Sequence, residues 1–174
     1  KELKILSANF SVDKKIASIG NSDQLRRIIR YLKAWKDYRE NTNSSLRLPS
    51  GFILTILACN HFNRNTREDI SFKETVEAIK RNLSLNFTCY RPTMPLEEDL
   101  LSDYSKEPLL NELGELINNA NKAIDSDCEK EASEYWRKVF GDRFPLGLKE
   151  EEKEIQATTK LANRTKVSAP WSLC

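Results

Sequence analysis

Residues 21–62 read NSDQLRRIIRYLKAWKDYRENTNSSLRLPSGFILTILACNHF. Two apolar runs of different kinds are joined here by a Ser-, Asn- and Pro-containing turn. In the first run Leu25, Ile28, Ile29, Leu32 and Trp35 recur at helical spacing, giving one apolar stripe on an otherwise charged helix. Asn21 or Ser22 can accept a backbone N–H as its cap, and Asp23 suits the positive end of its dipole. The spacing predicts a helix over 23–40. The second run, Gly51–Cys59, is apolar almost all round through Phe52, Ile53, Leu54, Ile56, Leu57 and Ala58, as expected of a helix buried on most sides. Asn41 to Leu48 reverses the chain between them, and Pro49 suits a first helical turn, where its missing N–H is not needed.

Polar residues of this hairpin supply its chemistry. Arg26, Arg30 and Lys33 stand at i, i+4 and i+7, so they share one face beside the apolar stripe. Such a triplet is either a solvated basic face or a cradle for a phosphate chain, with lysine as a compact point charge and arginine as a planar fork. Spacing alone does not choose. Ser50 sits at the mouth of the second helix, where free N–H groups and the dipole favour anions, and serine there is either a cap or a ligand.

Outward from the hairpin the signals are mostly helical. Residues 1–20 alternate weakly and read as an extended lead-in, with at most a short turn of helix near Asp13 to Ile19. His61 closes the second helix and is read as a partner of its carbonyl end. Ser71-Phe72-Lys73-Glu74 has the form of a capping box opening a third helix, with Phe72, Val76, Ile79 and Leu83 as its stripe and an end near Leu85. The irregular stretch 86–108 holds Pro92, Pro95, Pro108 and the run Glu97, Glu98, Asp99; paired carboxylates can bind magnesium, but after a proline they read more simply as a helix N-terminus. A fourth helix is expected at about 108–125 on Leu109, Leu113, Leu116, Ala120 and Ile124. A fifth, at about 126–140, carries Cys128, Ala132, Tyr135, Trp136 and Val139 until Gly141 and Pro145 stop it. From Leu146 the chain becomes a charged tail with little apolar face. The predicted divisions are therefore 1–20, 21–145 and 146–174.

Composition agrees with an all-α bundle of about five helices. The chain has 174 residues, 31% charged, with only 5 glycines, enough for one domain without a disulfide or metal staple. Its formal charge of +2 is too small to argue for wrapping duplex nucleic acid, so any anion binding is local. Cys59, Cys89, Cys128 and Cys174 form no C-x-x-C pair and His61 is the single histidine; they read as reduced, mostly buried thiols of a cytoplasmic protein. No apolar run reaches the ~20 residues of a membrane span. A first residue of lysine suggests a piece of something longer.

Three ordered stretches carry a likeness. LRRIIRYLKAW followed by LPSGFILTILACNHF resembles the helical half of the cGAS/DncV-like nucleotidyltransferases (CD-NTases), relatives of cyclic GMP-AMP synthase and oligoadenylate synthase within the polymerase-β-like superfamily. RPTMPLEEDLL is similar to that family's Pro-bounded acidic segment, and EASEYWRKVFGDRFP to its closing Trp-Arg/Lys-x-Phe-Gly-x-x-Phe-Pro element. The resemblance spans about residues 21 to 145. It implies the helical lobe of a two-lobed enzyme that joins nucleoside triphosphates into cyclic di- or trinucleotide signals in anti-phage (CBASS) defence. It further implies that Lys33 and Ser50 hold the donor triphosphate, with Arg30 and Arg26 as weaker candidates on the same face.

Departures from the pattern matter equally. Where some relatives place an aromatic directly after the serine, this chain has Gly51. The family's Gly-Ser turn and Asp-x-Asp pair, which with a third carboxylate hold a pair of Mg²⁺ ions, are absent; Ser102-Asp103 and Asp125-Ser126-Asp127 do not fit. The resemblance therefore implies that Mg²⁺ is a cofactor of a full-length parent whose N-terminal catalytic lobe, and any protein regulators, lie outside this chain. A free-standing helical interaction module, using the Arg26/Arg30/Lys33 face or the 149–174 arm, is the other reading.

Overall fold

The computed structural model describes residues 22–92 and 98–148. Among them are five α-helices: α1 Ser22–Thr42, α2 Gly51–His61, α3 Glu68–Leu85, α4 Lys106–Asp125 and α5 Glu129–Phe140, followed by a 3₁₀ turn at Gly141–Arg143. Each helix packs on the next, α3 and α4 included despite the longer loop between them, and α1 also meets α3 and α5, closing the bundle. The mainly helical fold read from composition and periodicity is the one observed.

Each helix buries the stripe its spacing sets. Leu25, Ile28, Leu32 and Trp35 of α1 are at most 1% exposed. Ile53, Leu54, Ile56, Leu57, Ala58 and Cys59 of α2 are buried on nearly every side. Phe72, Val76, Ile79 and Leu83 of α3 meet Leu109, Leu113, Leu116 and Ala120 of α4 in the same core. A buried aromatic or aliphatic side chain of this kind contributes about 1.5–3 kcal/mol, which is why five short amphipathic segments suffice.

Helix ends depart from expectation where local chemistry outweighs periodicity. The third helix begins at Glu68, before the serine read as its cap: Ser71 is fully buried and its hydroxyl donates to the Asn63 carbonyl, while Thr75 Oγ1 accepts from Asn63 N at 3.1 Å. Those two bonds fasten the α2–α3 loop to the side of α3, so Ser71 is a tether and not a capping box. Pro49 is buried one residue before the Ser50 cap, outside the first turn of α2. α4 starts at Lys106 with Pro108 inside its first turn, and α5 starts at Glu129, leaving Cys128 exposed at its cap position.

The acidic run is corrected most. No helix starts at Glu98 or Asp99; the next one opens at Lys106. Asp99 Oδ1 accepts from Cys89 N at 2.9 Å and Leu101 N at 3.0 Å, Leu100 N donates to the Cys89 carbonyl, and Arg91 N donates to the Glu98 carbonyl. Glu98 is paired with Arg91. The run thus forms one arm of a short antiparallel pin, closed by a Tyr90–Asp99 bridge, because the Asp99 carboxylate satisfies two loop N–H groups that a helix would have met internally. Glu97 lies outside the described residues. Burial, then the Asp99 charge, push the Cys89 thiol up to about 11.

After α5 the chain stays close. Gly141 adopts φ 72°, its N–H donates to the Arg137 carbonyl, and a Cβ there would come within 2.5 Å of the Tyr38 ring; the expected glycine stop is also a point of close approach. Gly147 N still donates to Ser133 Oγ on α5 at 2.8 Å. The expected lead-in at 1–20 and the arm at 149–174 lie outside the described residues.

Candidate functional site

Lys33 lies on the exposed face of α1, one residue past the middle of the helix, and its side chain runs across the start of α2. A Cβ built on Gly51 would stand 3.2 Å from Lys33 Cε, 3.5 Å from Cδ and 3.6 Å from Cγ. The lysine stem therefore fills the space a side chain at 51 would take. Glycine after the serine is what leaves room for the lysine stem to lie against the first turn of α2.

Ser50 caps α2: its Oγ accepts from Ile53 N at 3.4 Å, and its carbonyl accepts the first intrahelical bond from Leu54 N at 3.0 Å. The Gly51 and Phe52 N–H groups precede that first bond and, like the leading donors of any helix, have no intrahelical acceptor. The hydroxyl remains exposed and keeps its proton for donation while its oxygen caps. The Lys33 stem, a hydroxyl donor and two N–H groups at the positive end of a dipole thus meet at the start of α2, a combination suited to an anion.

The two arginines are not brought to that spot. Arg26 Nη1 is 3.5 Å from Asp23 Oδ1, and Arg30 Nε donates back to the Arg26 carbonyl at 3.4 Å. Both are exposed, and at about 1.5 Å rise per residue Arg26 is roughly 10 Å along the axis from Lys33. They extend the positive face without joining the helix mouth.

Two contributors escaped sequence reading. Glu40 Oε1 accepts from Leu48 N at 2.9 Å and its Oε2 is paired with Lys36 Nζ at 2.5 Å, so one carboxylate from the end of α1 pins the Leu48-Pro49-Ser50 segment in place. Desolvation opposes ionisation of Glu40, but the Lys36 ammonium and the Leu48 N–H outweigh it and hold the carboxyl below its usual range. The Lys36–Glu40 i,i+4 pairing was visible as spacing; the bond to Leu48 was not. Phe52, in the first turn of α2, is 39% exposed.

Among the described residues no cluster of three His, Cys, Asp or Glu side chains is placed to hold a metal ion, and no helix is long and apolar enough to cross a membrane. A further polar hollow of about 390 Å³ lies between α1, α4 and α5. There Arg39 grips Glu112 through two bonds of 2.6 and 3.0 Å, and Lys122 and Lys138 both lie over the Tyr135 ring. Its cations are thus largely committed to internal partners. No known protein-family model matches the chain.

Proposed function

We propose that this chain is the helical, triphosphate-binding half of a CD-NTase-like nucleotidyltransferase whose parent makes cyclic di- or trinucleotide second messengers in anti-phage signalling. The observation that supports the reading is the crossing of the Lys33 stem over Gly51, at the end of α2 that carries the Ser50 hydroxyl and the open N–H groups. A phosphate chain there meets a point charge from one helix and dipolar donors from the next. Phe52 offers an exposed ring nearby for a base. Binding and orientation are the contributions of this half; a triphosphate held at one end presents its α-phosphate to an attacking hydroxyl from elsewhere in the parent.

The described carboxylates do not suit Mg²⁺, since Glu98 and Asp99 are engaged in the loop and Glu40 in the turn. No step is assigned to a metal on this chain. Two consequences test the reading. In the full-length parent Lys33→Ala lowers ATP or GTP incorporation by about tenfold or more while the melting temperature stays put; unchanged kinetics would sink the proposal. The chain by itself makes no cyclic product from any mixture of ribonucleotides and Mg²⁺, and a product detected from the pure chain would show that the catalytic carboxylates had been misjudged.

A further inference from the structure

Ala34 follows Lys33 on α1, and one residue of helix turns the side chain by about 100°, onto another side of the bundle. There α1, α3, α5 and the segment after α5 line an aromatic cleft of about 410 Å³. Phe72 and Trp136 are its buried members, while Tyr31, Phe140 and Phe144 are half-buried rings. Ala34 is the small side chain in this lining. Both carboxylates at the rim are engaged: Glu68 accepts from Arg27 Nε at 2.7 Å and from the Tyr31 hydroxyl at 2.8 Å, and Asp69 is gripped by Arg67. A cleft with aromatic walls and satisfied charges suits apolar side chains better than a charged ligand.

The chain enters the bundle beside this cleft. Gln24 Nε2 donates to the Asn65 carbonyl at 2.7 Å and Arg27 donates to Glu68, so the start of α1 lies against the start of α3. Ser22 is then only about 13 Å along the helix axis from Tyr31. The other end of the described chain leaves in the opposite direction. Gly147 N donates to Ser133 Oγ, and a Cβ on Gly147 would stand 2.5 Å from the Glu129 carbonyl oxygen. By residue 147 the backbone has therefore run back to the first turn of α5, roughly 16 Å from Phe140. A shallower hollow beside Leu85 and Ile117 lies at the far end of α3, roughly 25 Å from Glu68.

Ahead of Ser22 the sequence holds a segment that matches. Leu6, Ala8, Phe10 and Val12 alternate strictly with Ser7, Asn9 and Ser11, and no charged residue stands between Ile5 and Val12. Such alternation puts four apolar side chains on one side of an extended segment. The described residues hold no strand for it to pair with, the lone Tyr90–Asp99 bridge apart, so its apolar side has helices to pack on. Ten residues from Val12 to Ser22 reach up to roughly 33 Å, well beyond the separation of Ser22 from the cleft. We propose that the Leu6–Val12 stretch of this same chain covers the cleft, with Phe10 seated among the half-buried rings and Ser7, Asn9 and Ser11 turned to water. The contact is on a different face from Lys33 and Ser50 and does not rest on the triphosphate reading.

Variants of the full 174-residue chain test this. Phe10→Asp should lower the melting temperature by roughly 3 °C or more, whereas Ser11→Asp, on the polar side of the segment, should leave it in place. In an Ala34→Leu background, where the added side chain fills the cleft, Phe10→Asp should lose that effect, because the two changes act on one contact. With Phe10→p-benzoylphenylalanine, irradiation should join position 10 within one chain to peptides carrying Tyr31 to Ala34 or Trp136 to Phe144. That cross-link reads position directly and serves where Ala34→Leu fails to fold. Equal melting temperatures for Phe10→Asp and Ser11→Asp, full additivity with Ala34→Leu, or a cross-link that misses those peptides, whether it maps to the 149–174 arm, to the Leu85 hollow or only to a second chain, would each overturn the proposal. The triphosphate reading is judged separately, by incorporation kinetics in the parent, so failure of one leaves the other intact.

Discussion

The Lys33 face and the Tyr31–Ala34 face of α1 belong to one helix and are built by different means. At Lys33 the functional groups sit at a helix mouth, exposed, each held by one or two contacts: a stem against a glycine, a hydroxyl on a backbone N–H, a loop pinned by Glu40. At Tyr31 and Ala34 the groups are rings continuous with the core, Phe72 at 2% and Trp136 at 9% exposure, interlocked with one another. The first arrangement owes little to burial and much to electrostatics and geometry; the second owes its stability to burial. It follows that binding and stability should separate on the first face and move together on the second.

Trp136→Ala is the strongest test of that separation. It removes a ring that touches Phe72, Phe140 and Phe144 and should cost about 3–5 kcal/mol, read as a lower midpoint in chemical denaturation. A loss under about 1 kcal/mol would mean that the aromatic cluster is not part of the core. Glu40→Gln comes next. It weakens the grip on Leu48 and Lys36 and should cost about 1 kcal/mol, with a loss of triphosphate affinity in the parent that exceeds the loss of stability.

Acid should mimic the same change. Glu40 has a folded-state pKa below its ordinary value of 4.5. Its stabilisation is present above pH 4.5 and is lost as pH falls through the depressed value. Wild-type stability should therefore drop on acidification below pH 4.5, and the Glu40→Gln chain should show a shallower drop; identical acid profiles would remove Glu40 from the account. Gly51→Ala is the smallest change. Alanine improves helix propensity while its Cβ pushes the flexible Lys33 stem by a few tenths of an ångström, so stability should shift by no more than about 0.5 kcal/mol. Phosphate affinity should still fall, because the ammonium is displaced from the helix mouth.

How much was legible beforehand follows from what periodicity encodes. Helices α1, α2 and the stripes of α3, α4 and α5 were readable because burial selects apolar residues at 3.6-residue spacing, and Leu25 through Trp35 do this without interruption. Helix starts were less readable. Ser71 has the capping-box pattern, but its hydroxyl serves the carbonyl of Asn63, well back in the preceding loop, and no local rule reports such a tether. Glu98 and Asp99 likewise have the composition of a helix start, and the hydrogen bonds from Cys89 and Leu101 that hold Asp99 in a loop come from contacts across the pin. Lys33 and Ser50 were nominated from helix position and resemblance, whereas the aromatic cavity was not nominated, since Tyr31, Phe72 and Trp136 read individually as core.

By itself the sequence determined the helical class, the hairpin of α1 and α2, the stripes that face the core, and the kinds of charge each helix exposes. These are properties of spacing and residue type along one element. Tertiary structure decided that Lys33 lies across Gly51, that Glu40 holds Leu48, and that Ala34 opens onto rings from α1, α3, α5 and the segment after α5. Each of those depends on how far apart and at what angle two helices pack. That is set by the sum of many side-chain contacts across the bundle, which no single stretch of chain contains.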